Sequence, residues 1–118
     1  MEKNEFGLKP EYLKIIVDVL GKNDNVEKAM IYGSRAKGNF TDGSDIDIVI
    51  IAPKLTFSGY LKILDELEQL DIPYKIDLAK YELLDESIKE HIDRVGKEIF
   101  KKKHKNKTDK QYKNDEIK

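Results

Sequence analysis

Two carboxylates stand two positions apart in Asp45-Ile46-Asp47, at the start of a run rich in β-branched residues. Because side chains alternate along a strand, we expect Asp45 and Asp47 on one face, with Cα atoms about 7 Å apart. Mg²⁺ prefers oxygen ligands and is commonly held by one or two carboxylates together with substrate phosphates. The pair therefore predicts a Mg²⁺ site that works on a phosphorylated substrate.

Asp77, in Lys75-Ile76-Asp77-Leu78, offers a third carboxylate if its strand lies beside that of Asp45 and Asp47. Three clustered carboxylates repel one another, so at least one of their pKa values should be raised until a cation binds. With two metal ions, one activates the attacking oxygen and the other stabilises the leaving oxygen. We expect Asp77 either to act as general base for an acceptor hydroxyl or to ligate the activating ion.

Gly33 and Ser34 directly follow a predicted strand, where a tight turn is expected. Glycine lets the backbone approach a ligand closely, and exposed N–H groups with the Ser34 hydroxyl could hold triphosphate oxygens. Arg35 and Lys37 could add positive charge there, or could simply be solvated. We assign nucleotide binding to Gly33, Ser34, Arg35 and Ser44.

Each half of this pattern has an ordinary explanation when it stands alone. A Gly-Ser turn is common, and an Asp-x-Asp at a strand start is usually a solvated turn. The combined pattern is Gly-Ser, then ten residues of which the last is Ser, then Asp-x-Asp. At typical residue frequencies, this pattern arises by chance in about one chain in a thousand. The placement strengthens the pattern, because Gly33-Ser34 ends one predicted strand and Asp45 begins the next.

The elements that must position these residues alternate between helix and strand. Apolar periodicity predicts a helix over 10–20, and β-branched runs predict strands over 26–32, 45–51 and 74–79. A second helix over 58–70 has Ser58 as its expected N-cap. Leu84, Ile88, Ile92, Val95 and Ile99 trace the apolar stripe of a final helix. The order predicts an α/β layer architecture.

Composition excludes several classes of protein. The chain has 118 residues, no cysteine and two histidines, which excludes disulfides and makes a multi-histidine zinc site unfavourable. Charged residues make up 38% at a formal net charge of −1, which argues against general nucleic-acid or membrane binding. No targeting segment is recognisable, so we expect a cytoplasmic protein.

We expect one domain over residues 1–100 and a charged tail over 101–118. The tail has almost no apolar residues, so it should be disordered, unless its lysines contact an acidic partner or RNA. A single domain leaves little room for an acceptor-binding domain. The acceptor site would then come largely from a partner or a second copy.

The central segment resembles the signature of the DNA polymerase β-like nucleotidyltransferase superfamily: Gly-Ser, about ten residues, Asp-x-Asp, and a third Asp on a later strand. Within it, the sequence is similar to the small bacterial and archaeal minimal nucleotidyltransferase (MNT) proteins over roughly residues 10–100. The matching segments are Gly33-Ser34-Arg35-Ala36-Lys37-Gly38, Gly43-Ser44-Asp45-Ile46-Asp47-Ile48, Tyr74-Lys75-Ile76-Asp77-Leu78 and His91-Ile92-Asp93-Arg94-Val95-Gly96.

The resemblance implies a nucleotidyltransferase fold, a small mixed β-sheet flanked by helices. It implies that Gly33 and Ser34 bind the triphosphate and that Asp45, Asp47 and Asp77 bind Mg²⁺, with two ions expected. MNT proteins are commonly antitoxins that transfer AMP from ATP to a tyrosine of a HEPN-domain RNase toxin. The implied partner is therefore such a toxin, in a hetero-oligomer.

Other interpretations stay open at this stage. The chain could neutralise a toxin by binding alone, or it could modify a small molecule or an RNA end. His91, near the predicted apolar stripe, is a better candidate for a structural or interface residue than for a metal ligand. Tyr32 could line the nucleotide pocket or simply pack, whereas Tyr12, Tyr60, Tyr74 and Tyr81 are expected to pack.

Overall fold

A computed structural model describes residues 3–103. None of its helices is long and apolar enough to cross a membrane. Its elements, in chain order, are α1 (Pro10–Gly21), β1 (Lys28–Tyr32), α2 (Ser34–Lys37), β2 (Ile46–Ile51), α3 (Phe57–Glu68), β3 (Ile76–Lys80), a 3₁₀ turn (Tyr81–Leu83), α4 (Glu86–Val95) and β4 (Lys97–Lys101).

The four strands form one mixed sheet in the order β3-β2-β1-β4. β2 runs parallel to β3 and antiparallel to β1, and β4 pairs antiparallel with the other side of β1. The predicted small mixed sheet with flanking helices is therefore confirmed. Ile48, Val49 and Ile50 of the interior strand β2 are fully buried, as their unbroken apolar run predicts.

Helices cover the two faces of the sheet unequally. On one face, Ile16 of α1 and Ile63 of α3 belong to a large apolar cluster with Ile48 and Ile50 of β2. On the other face, the smaller cluster consists of Ile92 from α4 with two strand residues, Met30 and Val49. The second face is therefore only partly covered, and its uncovered part is free to carry polar groups.

The last predicted helix is wrong in its extent, because α4 ends at Val95 and the chain turns into β4. Gly96 occupies the turn, where a Cβ would lie 2.6 Å from the Ile92 carbonyl oxygen. Ile99 fits the helical period of the preceding residues, so local periodicity extends the predicted helix too far. Only pairing with β1, distant in sequence, makes this segment a strand.

β4 also crosses the predicted boundary between the domain and its tail. Lys101 is the last residue of the strand, and the Lys102 N–H donates to the Glu27 carbonyl oxygen at 2.9 Å. The disorder predicted for the tail otherwise falls on residues 104–118, which lie outside the described part of the chain.

Helix α3 begins one residue earlier than predicted, and its N-cap is Thr56 rather than Ser58. The Thr56 hydroxyl accepts a hydrogen bond from the Gly59 N–H at 3.0 Å. Ser58 lies within the first turn and is exposed. Two hydroxyl residues stand two positions apart here, and their order in sequence alone does not distinguish the cap from its neighbour.

We predict that Thr56→Ala lowers the free energy of unfolding by about 1 kcal/mol, because it leaves a helix N–H without its acceptor. Ser58→Ala is the matched control and should change stability by no more than about 0.5 kcal/mol. Urea denaturation followed by circular dichroism measures both values. An equal loss in the two variants would contradict the assigned cap.

Candidate active site

Strand register places the key side chains in one row across the sheet. Tyr32 of β1 pairs with Asp47 of β2, and Asp47 pairs with Asp77 of β3. Directly paired residues on neighbouring strands present their side chains on the same face. The condition set by the sequence, that the strand of Asp77 lie beside that of Asp47, is met. Asp45 lies one residue before β2.

The electrostatics of this row follow from burial and like charge. Burial raises the pKa of the half-buried Asp47 carboxyl, and the negative charges of Asp77 and Asp45 raise this pKa further. Burial also raises the pKa of the Tyr32 hydroxyl, and the charges of Asp47 and Asp77 add to the effect. The predicted rise in the pKa of at least one clustered carboxyl is therefore confirmed, and it falls on the central residue.

The chemistry of this donor set suits a hard divalent cation. Asp45 and Asp77 are exposed, so their carboxylates can adjust to a ligand. Within residues 3–103, no group of three or more acidic, histidine or cysteine side chains is placed so that it could hold a metal ion. Mg²⁺ can bind through fewer protein ligands, since it keeps several waters and takes phosphate oxygens beside one or two carboxylates. The full ligand set of Asp45, Asp47 and Asp77 stays a prediction.

Gly33 brings the turn after β1 against the carboxylate row. Its backbone has φ 73° and ψ −153°, a combination almost confined to glycine. A Cβ at this position would lie 2.3 Å from Oδ2 of Asp47. Glycine is therefore required twice here, once by backbone conformation and once by the close carboxylate. Ser34 opens the short α2 directly after this turn, so the predicted phosphate-binding pair adjoins Asp47.

The structure corrects the assignment of Arg35 to nucleotide binding, because this side chain does not reach the surface. Its side chain is only 1% exposed and points into the protein. Nη1 donates to the Phe6 carbonyl oxygen at 2.8 Å, and Nη2 donates to those of Ser44 at 2.8 Å and Asp42 at 3.2 Å. Nε donates to the same Ser44 oxygen at 3.1 Å. With its donors engaged by backbone, Arg35 has a structural role.

Aromatic rings complete the surroundings of this guanidinium. Its Cζ lies 5.1 Å from the centre of the Phe40 ring and 4.8 Å from that of Tyr74. Each ring face attracts a cation, which offsets part of the cost of removing the charge from water. Tyr74 begins the segment that leads to Asp77, and Ser44 directly precedes Asp45. Arg35 therefore ties together the two segments that carry the carboxylates.

Ser44 has a loop-forming role in this structure. Its hydroxyl accepts a hydrogen bond from the Thr41 N–H at 2.9 Å, and its carbonyl oxygen accepts from Arg35. These bonds hold the turn that delivers Asp45 to the site. A contact between Ser44 and nucleotide stays a prediction.

The structure adds Tyr60 of α3 to the neighbourhood of the site. Burial raises the pKa of its hydroxyl, and the negative charge of Asp77 contributes. The hydroxyl donates to the Leu78 carbonyl oxygen at 2.7 Å. Sequence analysis assigned Tyr60 to packing, and no local pattern indicates that α3 reaches the strand of Asp77. Two further residues that the sequence singled out lie on α4. Arg94 is exposed near the end of this helix, and His91 is partly buried.

Comparison with known proteins agrees with this geometry. The family model "Polymerase beta, Nucleotidyltransferase" matches residues 14–105. A probable protein adenylyltransferase MntA of Haemophilus influenzae is 27% identical over 92 residues, covering 77% of this chain and 81% of that protein.

Solved structures share the fold at low sequence identity. The structure described as the toxin-antitoxin with AMP-PNP has a TM-score of 0.64 at 20% identity, covering 76% of this chain and 73% of the other. The complex of a tri-AMPylated Shewanella oneidensis HEPN toxin with an MNT antitoxin has a TM-score of 0.59 at 16% identity, covering 76% and 70%. At such identities the likeness establishes the fold.

We predict that Arg35→Ala lowers the free energy of unfolding by roughly 3 kcal/mol, because it leaves buried carbonyl oxygens unpaired and a cavity between two rings. Arg35→Lys should recover only part of this loss, since a single ammonium cannot reproduce the planar fork of donors. Lys37→Ala, exposed on the same short helix, is the control. Equal stability of Arg35→Ala and Lys37→Ala in urea denaturation would contradict the assigned role.

We predict that Asp47→Asn raises the thermal midpoint at pH 7 in the absence of divalent cations. The folded-state pKa of Asp47 is raised, so its charge costs stability once pH exceeds that pKa. The advantage of the variant should shrink as pH falls and vanish below the unfolded pKa, about 3.9. Asp71→Asn, in an exposed loop, is the control. Calorimetry in a chelating buffer measures both, and a pH-independent difference would refute the explanation.

Proposed function

Because the chain belongs to the polymerase β nucleotidyltransferase family, we propose that it transfers AMP from ATP to a hydroxyl of a partner polypeptide. The acceptor we propose is a tyrosine of a HEPN-domain toxin, which makes the chain the antitoxin of the pair. The observation that best supports this proposal is the pairing of Asp47 with Asp77 on neighbouring strands, with the glycine turn at Gly33 lying against Asp47.

The relatives support this choice of reaction and partner. The matched Haemophilus influenzae protein is named a probable protein adenylyltransferase. One matched structure contains AMP-PNP, and another pairs an MNT antitoxin with a tri-AMPylated HEPN toxin. The exposure of Asp77 on the edge strand β3 leaves the carboxylate row accessible to an acceptor as large as a protein.

The position of each residue suggests its role in the proposed reaction. Gly33 and Ser34 hold the phosphates beyond the α-phosphate through backbone N–H groups and the Ser34 hydroxyl. Asp45, Asp47 and Asp77 would hold Mg²⁺. When bound, Mg²⁺ neutralises the charge that develops on the transferred phosphoryl group and lowers the pKa of a coordinated hydroxyl. Arg35 keeps the carboxylate-bearing segments in place from outside the reacting centre.

The group transfer itself balances in one displacement. The acceptor hydroxyl oxygen forms a bond to the α-phosphorus while the bond from that phosphorus to the bridging oxygen breaks. Pyrophosphate leaves, and AMP stays on the acceptor. The hydroxyl proton passes to Asp77, or to solvent if Asp77 serves as a metal ligand. Because Asp77 is exposed, it can release that proton to water after the transfer.

We predict that source-cell lysate with Mg²⁺ and ATP labelled on the α-phosphate yields a labelled polypeptide when wild-type protein is added. Asp45→Asn and Asp47→Asn should each reduce the labelling rate by about 100-fold or more, because each removes charge that holds the cation. Asp71→Asn is the control and should label at the wild-type rate. The mass of the labelled band identifies the acceptor.

Undiminished labelling in both Asn variants would disprove the assigned site. Label on a small molecule or RNA without any polypeptide band would redirect the acceptor. If no label transfers while Mg²⁺-dependent ATP binding persists and the protein still neutralises its toxin, binding alone would explain the antitoxin effect. Each result separates one of the alternatives that the sequence left open.

A further inference from the structure

Residues 4–8, which precede α1, form a short strap that packs against the rest of the protein. The strap lies outside residues 14–105, the part of the chain that the family model matches. It still contributes to the core, since Phe6 is only 6% exposed and Leu8 is fully buried, both within the larger apolar cluster. Burying two large apolar side chains holds the strap in place.

Asn4 closes the strap through both its backbone and its side chain. Its N–H donates to the Leu8 carbonyl oxygen at 2.8 Å, and its carbonyl oxygen accepts from the Gly7 N–H at 2.9 Å. Its side-chain oxygen accepts from the N–H groups of Phe6 at 2.9 Å and Leu8 at 3.1 Å. The chain turns at Gly7, whose φ of 74° is one that glycine adopts without strain.

Arg35 connects the strap to the loop of residues 38–44, which leads into Asp45. Nη1 of Arg35 donates to the Phe6 carbonyl oxygen, while Nη2 and Nε donate to the Ser44 carbonyl oxygen. Because a guanidinium is planar and rigid, the orientation that one acceptor imposes on it is imposed on all its donors. The position of the Ser44 carbonyl, and of the backbone that follows it, is therefore tied to the position of Phe6.

The strap and the loop also pack against each other directly. The ring of Phe40 lies so close to Gly7 that a Cβ there would be 2.2 Å from one ring carbon and 3.2 Å from Nη1 of Arg35. An ion pair between Lys3 and Asp42 spans the same junction, but it is 3.9 Å long and exposed, so it contributes little. The junction therefore depends on packing and on the buried hydrogen bond to Arg35.

We propose that the strap is a positioning element of the active site, which acts through Arg35 to hold the loop that delivers Asp45. This inference rests on the proposed function, in which Asp45 holds Mg²⁺. A carboxylate that is already in place costs less ordering entropy when Mg²⁺-ATP binds, so the affinity for Mg²⁺-ATP should depend on the strap. A strap that served stability alone would leave this affinity unchanged in the folded protein.

The first test is Asn4→Ala in the full chain, which removes an acceptor from two N–H groups of the strap and leaves the loop unaltered. The dissociation constant for Mg²⁺-ATP should rise by about fivefold, the scale of one net hydrogen bond. Hydrogen exchange at the amides of Thr41 and Ser44 should accelerate, because both donate hydrogen bonds within the loop. Asn4→Asp retains the side-chain oxygen acceptor and should restore both values.

Asn23→Ala is the matched control. The Asn23 side-chain oxygen accepts from the Asn25 N–H at 2.9 Å, a bond of the same kind in the turn between α1 and β1. This turn precedes β1, whereas Gly33 follows that strand, so the control lies at the far end of β1 from the site. Its loss should lower thermal stability without changing Mg²⁺-ATP affinity or hydrogen exchange in the loop.

Gly7→Ala is a stronger variant of the same test. Its Cβ would displace the Phe40 ring and Nη1 of Arg35, so it should weaken Mg²⁺-ATP binding more than Asn4→Ala does. Thermal unfolding of each variant establishes that the affinities are measured on folded protein.

Four results would overturn the inference, and one of them also ends the proposed function. Unchanged Mg²⁺-ATP affinity in folded Asn4→Ala, with or without faster exchange in the loop, would leave the strap a structural role and the proposed function in place. An equal loss of affinity in Asn23→Ala would attribute the effect to overall stability. Failure of Asn4→Asp to restore the affinity would exclude the hydrogen bonds of the strap as its cause. If Asp45→Asn binds Mg²⁺-ATP as well as wild type does, the proposed function fails first, and the inference fails with it.

Discussion

The site depends on one buried cation. Arg35 is the only charged side chain buried among residues 3–103, and it has carbonyl oxygens and ring faces around it instead of a carboxylate partner. A lone charge removed from water is costly unless its donors are satisfied. Backbone carbonyls at Phe6, Asp42 and Ser44 satisfy them, and each is thereby held in place. The loop before Asp45 is ordered by this requirement.

The use of carbonyls rather than an acid has a consequence for the site. A carboxylate partner would neutralise Arg35, but it would add another negative group close to Asp45 and Asp47. Carbonyl oxygens carry only partial charge, so they anchor the loop without adding a formal charge beside the carboxylates. No further negative group is added beside the row, and the raised pKa of Asp47 follows from its burial and from the charges of Asp77 and Asp45. The charge on Asp47 therefore costs the folded chain stability at neutral pH.

The unequal covering of the sheet decides where polar side chains can lie. α1 and α3 bury one face along most of its length, while α4 covers only part of the other. The uncovered part holds the row from Tyr32 to Asp77, with the glycine turn at one end and the open edge strand β3 at the other. The two ends of the row therefore differ, since one lies next to the glycine turn and the other lies on an edge strand.

Local patterns in the sequence determined the elements and the reactive residue types. The unbroken apolar run of β2 marks an interior strand, and Gly33-Ser34 marks the turn after the strand before it. Alternation predicts that Asp45 and Asp47 share one side. Tertiary structure alone decided what depends on distant partners. β4 is a strand because it pairs with β1, which is distant in sequence. Local periodicity cannot show this pairing, so the apolar residues of β4 were predicted to continue the last helix. Arg35 has a charge typical of phosphate ligands, and its burial follows from carbonyls and rings that come together only on folding. Tyr60 reaches the Leu78 carbonyl oxygen because α3 packs on β3, a contact with no counterpart in local periodicity.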